Sequence, residues 1–203
     1  RYLKMRKILK KIQPDIVFSC SGKNNFMAEC ASVGLQSKTV VSIVANPIVE
    51  YPTNVMQMLA RILFRFADGI VFQTQEAMEF FPKAIQKKSV ILPNSLNPCF
   101  IRERYRGERE KEIVAVGRLD DNKNHAMLLQ AFAGIKEEFP DYRIVIYGEG
   151  EDRPKLEKFI AEYGLTGRVS LPGRTDRIEE KIYKSSLFVL TSNAEGMPNA
   201  LIE

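Results

Sequence analysis

At 203 residues, 45% apolar and 27% charged, the chain has the composition of a soluble globular protein of one large or two small domains. No apolar run approaches the roughly 18–20 residues of a membrane-spanning helix, and no secretory leader is recognisable at its start. Three widely spaced cysteines (Cys20, Cys30, Cys99) exclude a disulfide framework and a zinc pattern, and the net charge of +5 comes without a nucleic-acid motif.

Residues 1–11 hold Arg1, Lys4, Arg6, Lys7, Lys10 and Lys11 with no acid, while Tyr2, Met5, Leu9 and Ile12 recur at helical spacing. The pattern predicts a basic amphipathic helix over 2–12. Two readings fit it: a helix resting on an anionic membrane surface, and a surface helix with a solvated charged face. Short β-branched runs at 15–19, 39–44, 69–73 and 89–92 predict strands, with helical patterns at 24–33, 54–66 and 75–81. Residues 93–111 are rich in Pro, Asn and charge, and read as a break between domains. The alternation then resumes, with strands expected at 112–116, 143–147, 168–171 and 187–190. Helices are expected at 124–138, 152–163 and 176–184, and another from Pro198.

Such alternation predicts an α/β protein of two Rossmann-like parallel-sheet domains, 1–93 and 112–203, joined by a linker over 94–111. Both domains are expected to be incomplete, because one opens on a helix feeding a strand and the other stops early in a helix. The chain therefore reads as an internal segment of a longer cytoplasmic protein.

Ligands of parallel sheets collect at the carboxyl ends of the strands, and four such ends in the second half carry chemistry. Gly117-Arg-Leu-Asp-Asp-Asn-Lys-Asn124 sends two cations, Arg118 and Lys123, off one strand end beside a helix start. That arrangement suits a diphosphate; the alternative is a surface loop whose cations pair with Asp120 and Asp121. Gly148-Glu-Gly150 reads as a glycine loop near a ligand or as a plain turn, and Pro172-Gly-Arg174 is similarly open. In Glu195-Gly-Met-Pro-Asn-Ala-Leu-Ile-Glu203, Pro198 is expected at the first helical position and Met197 at the N-cap. Met caps poorly, so donors near Asn199 are expected to serve an oxygen-rich ligand. His125, the one histidine, lacks a catalytic partner in sequence and reads as a structural or surface residue. No Asp-x-Asp occurs to clamp a metal-bound nucleotide.

With these residues in view, the chain resembles the retaining glycosyltransferases of family 4, the group 1 enzymes of GT-B fold. Residues 117–124 match that family's diphosphate loop, and 195–203 its Glu-x7-Glu motif. Val90-Ile-Leu-Pro-Asn94 resembles its inter-domain connection; Lys11-Ile-Gln-Pro-Asp-Ile-Val17 and Phe66-Ala-Asp-Gly-Ile-Val71 resemble strand entries. The resemblance implies that Arg118 and Lys123 hold a donor diphosphate, with Gly117 in the same loop, and that Glu195 acts at the donor sugar. Gly196, Met197 and Asn199 would bind its hydroxyls and phosphate, Glu203 the ribose, and Arg174 would lie by the base. It implies no cofactor and no metal. Many members carry a histidine at a first-domain strand end; here Asn46 stands nearest that place and is the acceptor-side candidate. The implied reaction moves a sugar, with retention, from a nucleotide sugar (a UDP-sugar) to a glycan or lipid-linked acceptor hydroxyl in polysaccharide or glycolipid synthesis. Two alternatives share the fold: a nucleotide-sugar epimerase, and a non-catalytic scaffold docking on membrane or partner.

Overall fold

The computed structural model describes residues 1–203. They form two compact units: residues 1–95 with 195–197, and residues 96–194 with 198–203. No helix is long and apolar enough to cross a membrane.

In the first unit, β1 (Ile16–Cys20), β2 (Lys38–Ile43), β3 (Gly69–Phe72) and β4 (Ser89–Ile91) form one parallel sheet in the order β1-β2-β3-β4. The helices are α1 (Tyr2–Ile12), α2 (Gly22–Ser32), α3 (Pro47–Glu50), α4 (Asn54–Leu63), α5 (Gln75–Glu79) and α6 (Lys83–Gln86). Alternate faces of β2 and β3 are apolar, so Val41, Ile43, Ile70 and Phe72 are buried and pack with Phe64 and Phe81 from the helices. Helix starts follow local chemistry: the side chains of Asn46, Thr53 and Thr74 accept from the N–H groups of Ile48, Met56 and Ala77.

The second unit repeats the plan. The strands β5 (Glu110–Val116), β6 (Arg143–Tyr147), β7 (Val169–Gly173) and β8 (Ser185–Phe188) run parallel in the order β7-β6-β5-β8. Helices α7 (His125–Ile135), α8 (Arg153–Glu162), α9 (Ile178–Ile182) and α10 (Asn199–Ile202) connect or follow them. Ala115, Ile144 and Ile146 of the sheet pack on Leu129, Phe132 and Leu156 of α7 and α8. Buried Glu112 ties three strands: Arg143 Nε donates to it at 3.0 Å and Ser185 Oγ at 3.1 Å.

All eight expected strands are present; β6 falls at 143–147 as expected, and the other seven have shifted ends. β8 lies two residues earlier than 187–190, because Ser185 pairs with Glu110 and the ladder loses strand geometry after Phe188. β5 starts at Glu110, inside the segment expected to be linker. Helix α4 closes in a tight turn at 64–66, and α9 is shorter than 176–184. The one-turn helices α3 and α6 were not expected; each starts at a proline, Pro47 at the first position and Pro82 at the N-cap. Pro198 also departs from expectation. Its ψ of 111° is extended, so it is itself the N-cap, and α10 begins at Asn199.

Candidate active site

The carboxyl edge of the second unit's sheet is assembled mainly from backbone. The loop after β5 is bonded to the loop after β6: Gly117 N–H donates to Tyr147 O at 3.0 Å, Leu119 N–H to Glu149 O at 3.1 Å, and Asp152 N–H to Leu119 O at 2.9 Å. The loop after β6 is bonded in turn to β7, through Gly148 N–H and Gly173 O at 2.9 Å. On the other side, Asn193 N–H donates to Asn122 O at 2.8 Å, Asn193 Nδ2 to Asp121 O at 2.8 Å, and Thr191 Oγ1 to Lys123 O at 3.0 Å. Asn122 Nδ2 also donates to Ala194 O at 3.1 Å. The strand-end loops at 117–123, 148–150, 172–175 and 191–194 thus form one continuous rim.

Glycine makes that rim possible. Gly148 has φ 155°, and a β-carbon there would stand 1.8 Å from Gly117 O; one at Gly150 would stand 2.2 Å from Leu119 O. Gly148 and Gly150 therefore serve the approach of one loop to another, which neither sequence reading of Gly148-Glu-Gly150 included.

Gly117, Arg118 and Arg174 line a cavity of about 320 Å³ at this edge, together with Gly148 and Glu149. Arg118 is exposed and pairs with Asp120 at 3.0 Å, as the surface-loop alternative anticipates for that cation. Lys123 belongs to the same loop. Its N–H donates to Asp120 Oδ1 at 3.0 Å, and its aliphatic stem covers Gly117, where a β-carbon would meet it at 3.2 Å. Glu149 accepts from Arg153 Nη2 and Nε at 2.6 and 2.8 Å, and that guanidinium holds its carboxyl below the usual range.

His125 opens α7 and is buried. Its Nε2 lies 3.2 Å from Arg118 O; a carbonyl only accepts, so Nε2 carries the proton. Nδ1 is buried without a hydrogen-bond partner, and burial pushes the imidazole pKa down. His125 is structural, as expected, but what it holds is the cation-bearing loop.

The first unit's carboxyl edge is built differently, from buried side chains. Ser19 Oγ donates to Asn25 Oδ1 at 2.7 Å, and Asn25 Nδ2 donates to Ser42 O at 2.9 Å. The Glu50 carboxylate accepts from the N–H groups of Val44 at 3.2 Å and Ala45 at 3.0 Å, and from Tyr51 Oη at 3.4 Å. Burial raises its pKa against those bonds. Glu50 thereby fixes the turn that presents Asn46. Asn46 lines a cavity of about 310 Å³ with Pro47, Gln73, Glu195 and Gly196.

A family model described as "Glycosyl transferases group 1" matches residues 100–203, half of the chain. The chain belongs to the group 1 glycosyl transferases. A Campylobacter jejuni α-1,4-N-acetylgalactosaminyltransferase named for an undecaprenol diphosphate-linked glycan is 26% identical over 100% of this chain and 56% of its own length. A second from that organism, named for a related diphospho-undecaprenol acceptor, is 30% identical over 99% and 58%. This group 1 chain thus spans just over half the length of these relatives. Among solved structures, S. aureus TarM in complex with UDP superposes with a TM-score of 0.75 at 18% identity, over 99% of this chain and 42% of that one. Anabaena HepE in complex with UDP and glucose gives 0.73 at 17%, over 93% and 55%. These likenesses establish the fold as two Rossmann-like parallel-sheet units of the GT-B class.

Within this group 1 chain, the second unit brings Gly117, Arg118 and Arg174 to one cavity, with Lys123 on the same loop. Glu195, Gly196 and Met197 belong to the first unit, where Asn94 Nδ2 donates to Met197 O at 2.9 Å. A β-carbon at Gly196 would stand 2.4 Å from Val44 O, so glycine is required there. Asn199 starts α10, and Glu203 ends it, lining a different cavity beside Ser185 and Phe188. Glu203, expected at the ribose, is thus not among the residues lining the Arg118 cavity. Sequence reasoning missed Asn25, Glu50 and Tyr51. Their one linear signal was a carboxylate and a tyrosine side by side just past a strand end, which is too common to single out.

Proposed function

We propose that this chain binds the nucleotide diphosphate of a UDP-sugar in its second unit, and that the protein transfers the sugar to a lipid-linked glycan hydroxyl in surface polysaccharide or glycolipid synthesis. The observation that carries the reading is the backbone-knit rim around the cavity lined by Arg118 and Arg174, with Lys123 on the same loop. Breaking the anomeric C–O bond leaves negative charge on the departing diphosphate. Cations carried beside the start of α7 stabilise that charge at reduced reorganisation cost, because the backbone of the loop carrying them is already hydrogen-bonded in place. Arg174 is assigned to the base side, and Asn199 and Glu203 to the donor's hydroxyls. Glu195, Gly196 and Met197 are assigned to the sugar, and Asn46 to the acceptor.

The acceptor class rests on the two Campylobacter relatives, whose names specify undecaprenol diphosphate-linked glycans. The UDP assignment is supported by the UDP complexes among the fold relatives. Retention and independence of a metal rest on the family resemblance. The basic helix α1 is assigned to an anionic membrane surface near such an acceptor.

Calorimetric titration with UDP, GDP and ADP tests the reading. UDP is expected to bind best, and Arg118→Ala to weaken it roughly 10- to 100-fold, the worth of a charge-assisted contact. Binding of none of the three, or indifference to Arg118→Ala, would overturn it.

A further inference from the structure

Helix α4 carries two apolar stripes, and one of them has no partner within its unit. Met56, Ala60, Leu63 and Phe64 face the core. Val55, Met58, Leu59 and Ile62 are 61%, 56%, 41% and 46% exposed, and Phe66, in the closing turn, is 75% exposed. At about 100° per residue these five fall within an arc of about 100°, turned away from the inner stripe. A helix facing water would carry charge or amide there.

Charge identifies the occupant. Residues 51–67 contain two cations, Arg61 and Arg65, and no acid. By helical spacing both arginines lie on one flank of the outer stripe. Arg61 is fixed in place: its Nη2 donates to Phe80 O at 3.2 Å, and its guanidinium lies 4.5 Å over the Phe80 ring. An apolar stripe flanked by cations and free of acids complements an anionic lipid surface, with side chains among the acyl chains and guanidinium groups at headgroup level. Ten residues span about 15 Å, so such a helix lies in the interface and does not cross the bilayer.

We propose that α4 docks the first unit on an anionic membrane, with Val55, Met58, Leu59, Ile62 and Phe66 inserted. The surface goes beyond the α1 contact assigned above, and its role rests on the reading of the acceptor as lipid-linked. Helix α4 follows the turn that presents Asn46, so docking here holds that end of the sheet at the depth where a lipid-linked hydroxyl emerges.

Flotation of the 203-residue chain with vesicles of phosphatidylcholine containing phosphatidylglycerol, and with vesicles of phosphatidylcholine alone, is the test. Preferential binding to the anionic vesicles is expected. The double variant Met58→Ser with Ile62→Ser is expected to lose at least about tenfold in that affinity, from the apolar area withdrawn. Phe66→Ser, outside the helix, is expected to lose a smaller part and covers the case in which the double variant fails to fold. UDP affinity is expected to stay unchanged in both. Three outcomes overturn the proposal: no binding by the parent chain to either vesicle, equal binding by parent and variants, or a parent dimer that the variants convert to monomer. Loss of UDP binding in the parent chain with vesicle binding intact would instead overturn the reaction assigned above.

Discussion

The two sheet edges solve one structural problem with different materials. In the second unit, neighbouring loops are joined mainly by main-chain hydrogen bonds between 117–119, 147–152 and 173, and glycine at 148 and 150 lets the backbones touch. In the first, a side-chain set of buried Ser19, Asn25 and Tyr51 with half-buried Glu50 spans from β1 to the turn after β2. A rim joined by backbone tolerates wide change in side chains, provided that no β-carbon intrudes. An edge joined by buried polar side chains depends on each group keeping its partner. On the function proposed above, the difference would suit a constant diphosphate in the second unit and a variable acceptor in the first.

The comparison breaks most sharply at Gly148. Alanine there places a β-carbon 1.8 Å from the Gly117 carbonyl and demands a φ of 155° from a residue that avoids it. Gly148→Ala is expected to destabilise the second unit by about 4 kcal/mol or more and to abolish measurable UDP binding. Gly134→Ala in α7, with nothing within 4 Å of its β-carbon, is the control, expected to stabilise by about 0.5–1 kcal/mol. Urea unfolding followed beside calorimetry reads both. If Gly148→Ala binds UDP normally, the rim is not what shapes the site.

A smaller effect is expected from the first edge. Asn25→Ala removes the acceptor for Ser19 Oγ and the donor to Ser42 O, at a site fully closed to water. Leaving such groups unpaired costs about 2–4 kcal/mol. The loss is expected in the first unit alone, with UDP affinity within about twofold of the parent. A fall in UDP affinity as large as that of Arg118→Ala would show that the two edges are not separate devices.

How much of this was legible depended on whether the information was local. Strand positions followed from β-branched runs such as Val40–Ile43, broken only by Ser42, and Ile144–Ile146, because a parallel sheet covered on both faces favours near-continuous apolar residues. Most of the rim was legible as well: parallel strands must end on one edge, so 117–123, 148–150, 172–175 and 191–199 were expected to converge. They do as far as Ala194, whereas 195–197 belong to the first unit. The purpose of the glycines was not, because which backbone comes near Gly148 or Gly196 is decided by residues far away in sequence. The Asn25–Tyr51–Glu50 set was hidden for the same reason. The α10 start was misplaced by one residue because Pro198 satisfies both the N-cap and the first helical position, and only its ψ distinguishes them. The outer stripe of α4 is plain in sequence, but it looks like ordinary core spacing until the inner stripe is located.

The subtlest difference between the edges is in their response to pH. His125 has a folded pKa lowered by burial, so the unfolded chain binds the proton more tightly. Its contribution is fully present above the unfolded value of about 6.5 and is lost as pH falls through the folded value. Glu50 has the opposite sign. Its folded pKa is raised by burial, so its contribution is present below the ordinary 4.5 and is lost as pH rises through the folded value. The second unit is therefore expected to weaken as pH drops from neutrality toward 5, while the Glu50 edge gains relative to its neutral-pH stability. His125→Gln keeps a donor for Arg118 O and removes the titration. It is expected to flatten the acid limb of the second unit's unfolding midpoint with UDP affinity nearly unchanged. Glu50→Gln is expected to flatten the first unit's dependence and leave the second's slope alone. If His125→Gln leaves the acid slope intact, the buried imidazole is not its source, and the hold on the Arg118 carbonyl does not couple the 117–123 loop to pH.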